Sequence, residues 1–112
     1  MEHIMHLQND PFVAIAEGRK SIEARLNDEK RRSMNVGDEV TFINRKTDEK
    51  IKCMITNLST CDNFEELYKH HDKLPLGYNE DDIASPADMN IYYPMENQMK
   101  NGVVAIEFNL EK

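Results

Sequence analysis

The chain has 112 residues, 39% of them hydrophobic, enough for one domain with a modest core and too little for two. A formal charge of −7 argues against generic attraction to a phosphate backbone, which rests on clustered Lys and Arg. No apolar run approaches the roughly 20 residues that cross a bilayer, and the Met1-Glu2-His3-Ile4-Met5 start resembles no signal peptide, so a single cytoplasmic domain over residues 1–112, away from membranes, is expected.

His3 to Leu7 reads as a first strand. Asp10-Pro11 then opens a helix, with Asp10 as N-cap, Pro11 at the first helical position and Phe12, Ile15 and Ala16 on the buried face. Gly18 supplies the left-handed residue that ends this helix and hands the chain to a second strand at Lys20. Side chains alternate along a strand, so Ile22, Ala24 and Leu26 point one way and Ser21, Glu23 and Arg25 the other. One face is core and the other carries ionisable groups. Lys20 belongs by parity with the aliphatic set, but its long stem stands where the chain turns and is expected to swing outward and join the polar group.

Asp28-Glu29-Lys30-Arg31-Arg32 reads as a solvated turn of mixed charge. Over residues 19–32 the cations Arg19, Lys20, Arg25, Lys30, Arg31 and Arg32 outnumber Glu23, Asp28 and Glu29, so this segment is locally positive on an acidic chain. Asn35-Val36-Gly37-Asp38 makes a reverse turn into a third strand, Glu39 to Ile43. The polar loop Asn44 to Lys50 leads to a fourth, Ile51 to Leu58, which should pair antiparallel with the third. Cys53 and Cys61, eight positions apart along this strand and its exit, are too far separated in extended chain for a disulfide and read as plain thiols.

Asp62 with Glu65 three residues on has the pattern of a capping box before Phe64, Leu67 and Tyr68. Pro75 and Gly77 interrupt regular structure, and Ser85-Pro86-Ala87-Asp88 starts another helix carrying Met89, Tyr92 and Tyr93 until Pro94 stops it. Val103 to Leu110 closes the chain as a strand with Val104, Ile106, Phe108 and Leu110 on one side. About five strands, each with one apolar face, and interleaved helices point to an α+β fold, a small mixed β-barrel rather than a doubly wound parallel sheet.

Glu23 and Arg25 read equally as a structural ion pair or as ligand contacts, with Arg25 offering its planar fork to a phosphate or base edge. Tyr92 and Tyr93 suit base stacking, although a Met89-Tyr92-Tyr93 stripe also suits a core, so one of the two is expected to pack inward. His70-His71-Asp72 invites a metal reading, but adjacent helical histidines point about 100° apart and cannot readily share an ion. Neither metal nor cofactor is expected.

The string Gly18-Arg19-Lys20-Ser21-Ile22-Glu23-Ala24-Arg25-Leu26, the Val36-Gly37-Asp38 turn, Phe64-Glu65-Glu66-Leu67-Tyr68, Leu76-Gly77-Tyr78, Tyr92-Tyr93 and the closing Gly102-Val103-Val104-Ala105-Ile106 together resemble an ASCH domain of the PUA-like superfamily. The resemblance implies a PUA-like β-barrel with a cleft at the helix-strand handover that takes RNA or a nucleotide. Its positions fall on Lys20, Glu23 and Arg25, with Ser21 beside them and Tyr92 or Tyr93 at the rim. Some members of the superfamily are small amidohydrolases of acetylated cytidine, in which a lysine-polarised threonine occupies the position of Glu23. The alternative implied is therefore a hydrolase, a ribonuclease or a modified-nucleoside amidohydrolase. Lys20 would be its electrostatic activator, Glu23 its acid or base in place of the hydroxyl, and Asp72 its acidic partner.

Overall fold

Alternation in the first strand sets the architecture. In β1 (Glu2–Leu7) His3, Met5 and Leu7 are buried while Glu2, Ile4 and His6 are exposed, so one face of the strand is committed to a core. The computed structural model describes residues 1–111 and arranges five strands in the order β1-β3-β4-β5-β2, with β2 (Ile22–Leu26), β3 (Glu39–Asn44), β4 (Lys50–Cys61) and β5 (Val103–Leu110). β1 pairs parallel with β3 and every other pairing is antiparallel, including the expected β3–β4 hairpin. β4 outruns its expected end and holds both cysteines. An irregularity between Ile55 and Asn57 breaks its register with β5, and such bulges sharpen the bend of a strand. Burial pushes the Cys53 thiol up to about 12, which keeps it protonated.

The edge strands β1 and β2 share no backbone ladder. Side chains span the seam instead: Arg25 Nη2 donates to His6 O at 3.3 Å and Lys30 Nζ to Ile4 O at 3.2 Å. At the other end of β1, Asp38 accepts from the backbone N–H of Asn35 and lies 2.9 Å from His3 Nε2. The His3 ring first, then the Asn35 amide, hold the Asp38 carboxyl below its ordinary range.

Two apolar clusters cover the two faces of the sheet. One joins Met5, Val40, Phe42, Val104, Ile106 and Phe108 to Phe12 and Ile15 of helix α1 (Asn9–Ala16), with the Phe42 and Phe108 ring centres 5.0 Å apart. The other sets Ile22, Ala24, Leu26, Val103 and Ala105 under Phe64 and Leu67 of α3 (Phe64–His70) and Leu76 of α4 (Lys73–Leu76). β5 is therefore buried on both faces from Val103 to Ile106, not on one, and Leu110 at its end is exposed.

The helices depart from expectation at their ends. α1 begins at Asn9 after Gln8, so Asp10 lies in the first turn, where its charge favours the helix dipole, rather than at the cap. α3 is capped by Asn63, whose side chain accepts from Glu66 N at 2.9 Å; β4 runs to Cys61, and Asp62 still belongs to the turn. A short α2 (Glu29–Arg32), capped by Asp28, replaces the expected turn. α5 (Ala87–Asn90) ends before both tyrosines, and Pro94 starts rather than stops a helix, α6 (Met95–Asn101), which has no apolar stripe to announce it. The one buried side chain of α6, Gln98, accepts from Phe64 N at 3.1 Å and donates to Asn90 Oδ1 and Tyr93 O at 2.7 Å each. It thus caps α3 and ties α5, α6 and the tyrosine segment together. Gln98→Leu keeps the volume but strands the Phe64 amide and Tyr93 carbonyl, and should cost about 2–4 kcal/mol in urea unfolding.

Candidate helix-strand cleft

Backbone hydrogen bonds draw the exit of α1 tight. Gly18, at φ +80, donates to Ile15 O, and the N–H groups of Arg19 and Lys20 both reach Ala14 O. Ser21 N then donates to Pro75 O at 2.9 Å, so the first amides after the turn go to α1 and Pro75 and the strand begins at Ile22 rather than Lys20.

Lys20 does not swing outward: it is buried. Gly77, at φ +108 beside it, has no side chain; a Cβ there would stand 3.1 Å from Lys20 Cδ. The stem fills that space, and Nζ donates to Ile22 O and Leu76 O at 2.7 Å each and lies 3.3 Å from Glu23 Oε1. Two carbonyls accept from the ammonium and the Glu23 carboxylate pairs with its charge, which removes the reason for the head to seek water.

Glu23 and Arg25 do share a face, as their alternation requires. Their partners across the ladder are Ile106 and Val104, so the two charges lie on the face that is otherwise the first apolar cluster. Glu23 Oε2 accepts from Arg25 Nε at 3.1 Å and from Nη2 at 2.9 Å. Burial alone would push the Glu23 carboxyl up; the Lys20 ammonium and the Arg25 guanidinium outweigh it and hold the group below the ordinary carboxylate range. For Arg25, burial pulls down, while Glu23 and then Tyr93 more than offset it and strengthen the charge.

Buried Lys20 and Glu23 and half-buried Arg25 form the floor of a cleft of about 780 Å³. The first turn of α1, including Asp10, makes one wall and the Met89–Tyr93 segment another, with Arg45 just past β3 also lining it. Tyr93 is half-buried, its ring 5.6 Å from that of Phe64, whereas Tyr92 is 71% exposed at the rim. Lys20, Glu23, Arg25, Tyr92 and Tyr93 thus converge on one space, and Ser21 lies outside its lining. So do Lys30, Arg31 and Arg32, whose side chains bind Ile4 O, Asp28 and Asn27 O; the basic segment splits and only part of it serves the cleft. Asp72 is exposed ahead of α4, away from the lining. Among the described residues no group of three or more His, Cys, Asp or Glu is placed to hold a metal ion, and no helix is long and apolar enough to cross a membrane.

Arg45, Asp10 and His6 line the cleft without having been singled out in the sequence. His6 and Arg45 meet there because β1 runs parallel to β3, with Arg45 N donating to Leu7 O at 2.9 Å. No local pattern encodes that pairing. Asp10 carried a readable signal, a carboxylate at a helix start, but the cap reading absorbed it.

The family model described as ASCH domain matches residues 5–112. The crystal structure of a hypothetical protein, PH0355, is similar with a TM-score of 0.83 at 28% identity, covering 99% of this chain and 100% of that one. The solution structure of a Pyrococcus furiosus protein gives 0.71 at 31% identity, with 100% and 99% covered. An ASCH domain from Lactobacillus crispatus gives 0.65 at 16% identity over 97% of this chain and 79% of that one, a likeness of fold, and the α+β, PUA-like sheet is the fold found here. No curated protein matches the chain.

Glu23→Gln removes the anion between buried Lys20 and half-buried Arg25 and should destabilise the protein by about 3 kcal/mol in urea unfolding. The sign of its pH dependence follows from the lowered folded pKa. The ion pairs stabilise fully above the unfolded value near 4.5 and lose that contribution as pH falls through the folded value, so Glu23→Gln should flatten the acid limb of the stability profile.

Proposed function

The chain belongs to the ASCH domain family, and we propose on that footing that it is a binding module for RNA or a nucleotide, held in the cleft against Lys20, Glu23 and Arg25. The observation that carries this reading is the use of the Glu23 carboxylate: Oε2 grips one edge of the Arg25 guanidinium and Oε1 faces Lys20. Two cations against one anion leave the floor net positive inside an acidic molecule. Arg25 is a rigid fork with its direction set before any ligand arrives, which suits phosphate or a base edge. Tyr92 supplies an exposed ring for a base, and Tyr93, anchored on Phe64, a second beside it.

Binding accounts for these groups better than hydrolysis does. A polarising lysine needs its ammonium turned toward the reacting group, and that of Lys20 is buried, bonded to two carbonyls and paired with Glu23. A general base near neutrality needs a raised carboxyl pKa, and that of Glu23 is lowered. Among the described residues lining the cleft none is Ser, Thr or Cys.

Fluorescence titration of a labelled single-stranded RNA tests the reading. Affinity should fall linearly with salt on logarithmic axes, and Arg25→Ala should weaken it by about tenfold or more with the fold intact by circular dichroism. Arg25→Lys should not restore it, because an ammonium cannot present the fork. Equal affinity of wild type and Arg25→Ala would contradict the proposal.

A further inference from the structure

We infer that the ligand track continues past Lys20 into a second hollow, so that the chain takes a single RNA strand of at least two nucleotides rather than a mononucleotide. This rests on the nucleic-acid reading of the main cleft. The second hollow, about 300 Å³, shares Asn9, Asp10, Pro11 and Lys20 with that cleft and adds Arg19, Gly77 and Asn79 of its own. The two hollows border on the same first turn of α1 and on the same Lys20 side chain.

Volume and charge order both favour a strand. A cleft of about 780 Å³ already lies within the range of about 300–1,000 Å³ that holds one small ligand, so a mononucleotide has no need of the second compartment. Arginines recur along the track, Arg25 and Arg45 in the main cleft and Arg19 in the second hollow, with the buried, carbonyl-bound Lys20 between them. A positive groove that follows a backbone, with an aromatic platform for a base, is how single strands are held without strict sequence reading.

Arg19 is available for this. Its guanidinium rests on Glu17 Oε1 at 2.6 and 2.9 Å and on Asn79 Oδ1 at 3.3 Å, all at the surface, and an exposed ion pair contributes little, so a phosphate can replace the carboxylate. Asp10 on the shared wall repels phosphate and accepts from base N–H groups.

Isothermal titration with an RNA tetranucleotide of randomised sequence and, separately, an equimolar mixture of the four ribonucleoside 5′-monophosphates tests this. The tetranucleotide should bind the wild type at least about tenfold more tightly. Arg19→Ala, an exposed change that should leave Tm unaltered, should weaken the tetranucleotide about fivefold, reduce its salt slope by about one unit and leave the mononucleotides unaffected. Arg25→Ala should weaken both ligands. Equal affinity for the two ligands, or an Arg19→Ala variant that binds the tetranucleotide like wild type, overturns the inference while leaving the main-cleft reading standing. Binding of neither ligand overturns both.

Discussion

One carboxylate between two cations organises this molecule. Glu23 stands on a sheet face that is otherwise apolar, and an ionised carboxylate there would be untenable alone. Lys20 on one oxygen and Arg25 on the other make it tenable, and the backbone carbonyls of Ile22 and Leu76 accept from Lys20 and that of His6 from Arg25. Replacing such a network by hydrocarbons is often neutral or stabilising, so stability alone does not explain its presence. What the network supplies is position: it holds a guanidinium in a defined plane on the floor of a cleft.

The fold builds that position from simple parts. β2 is an edge strand, so its Glu23 and Arg25 reach the margin of the sheet, where the interior opens between β2 and the first turn of α1. Gly18 ends the helix abruptly enough to bring Lys20 under that margin, and Gly77 leaves the space that the lysine stem occupies. Arg25 also reaches His6 across the seam, so the same side chain that faces the cleft helps hold the two sheet edges together. A ligand that recruits Arg25 acts on this seam. The opposite wall depends on polar contacts: Gln98 and the Tyr78–Asp88 hydrogen bond of 2.8 Å fix the segment that carries Tyr92 and Tyr93.

Much of this was legible locally. Alternation in the Ile22–Leu26 strand places Glu23 and Arg25 on one side, and the Gly18 stop locates the handover, because both are rules about neighbouring residues. Lys20 was misplaced because its burial depends on a glycine and a carbonyl more than fifty positions away, at Gly77 and Leu76. α6 was missed because hydrogen bonds of one buried glutamine, not an apolar stripe, anchor it. Arg45 reached the cleft through a parallel pairing that no turn signal records. Local periodicity reveals which face a side chain takes; it does not reveal what the rest of the chain brings to that face.

The most direct measurement is the titration of the Glu23 side-chain carboxyl by carbon-13 NMR on selectively labelled protein. If Lys20 and Arg25 hold it as an anion within the cleft floor, its midpoint lies below the ordinary value of 4.5. A midpoint at or above 4.5 would mean that burial prevails over the two cations, and the preset orientation of Arg25 would lose its basis.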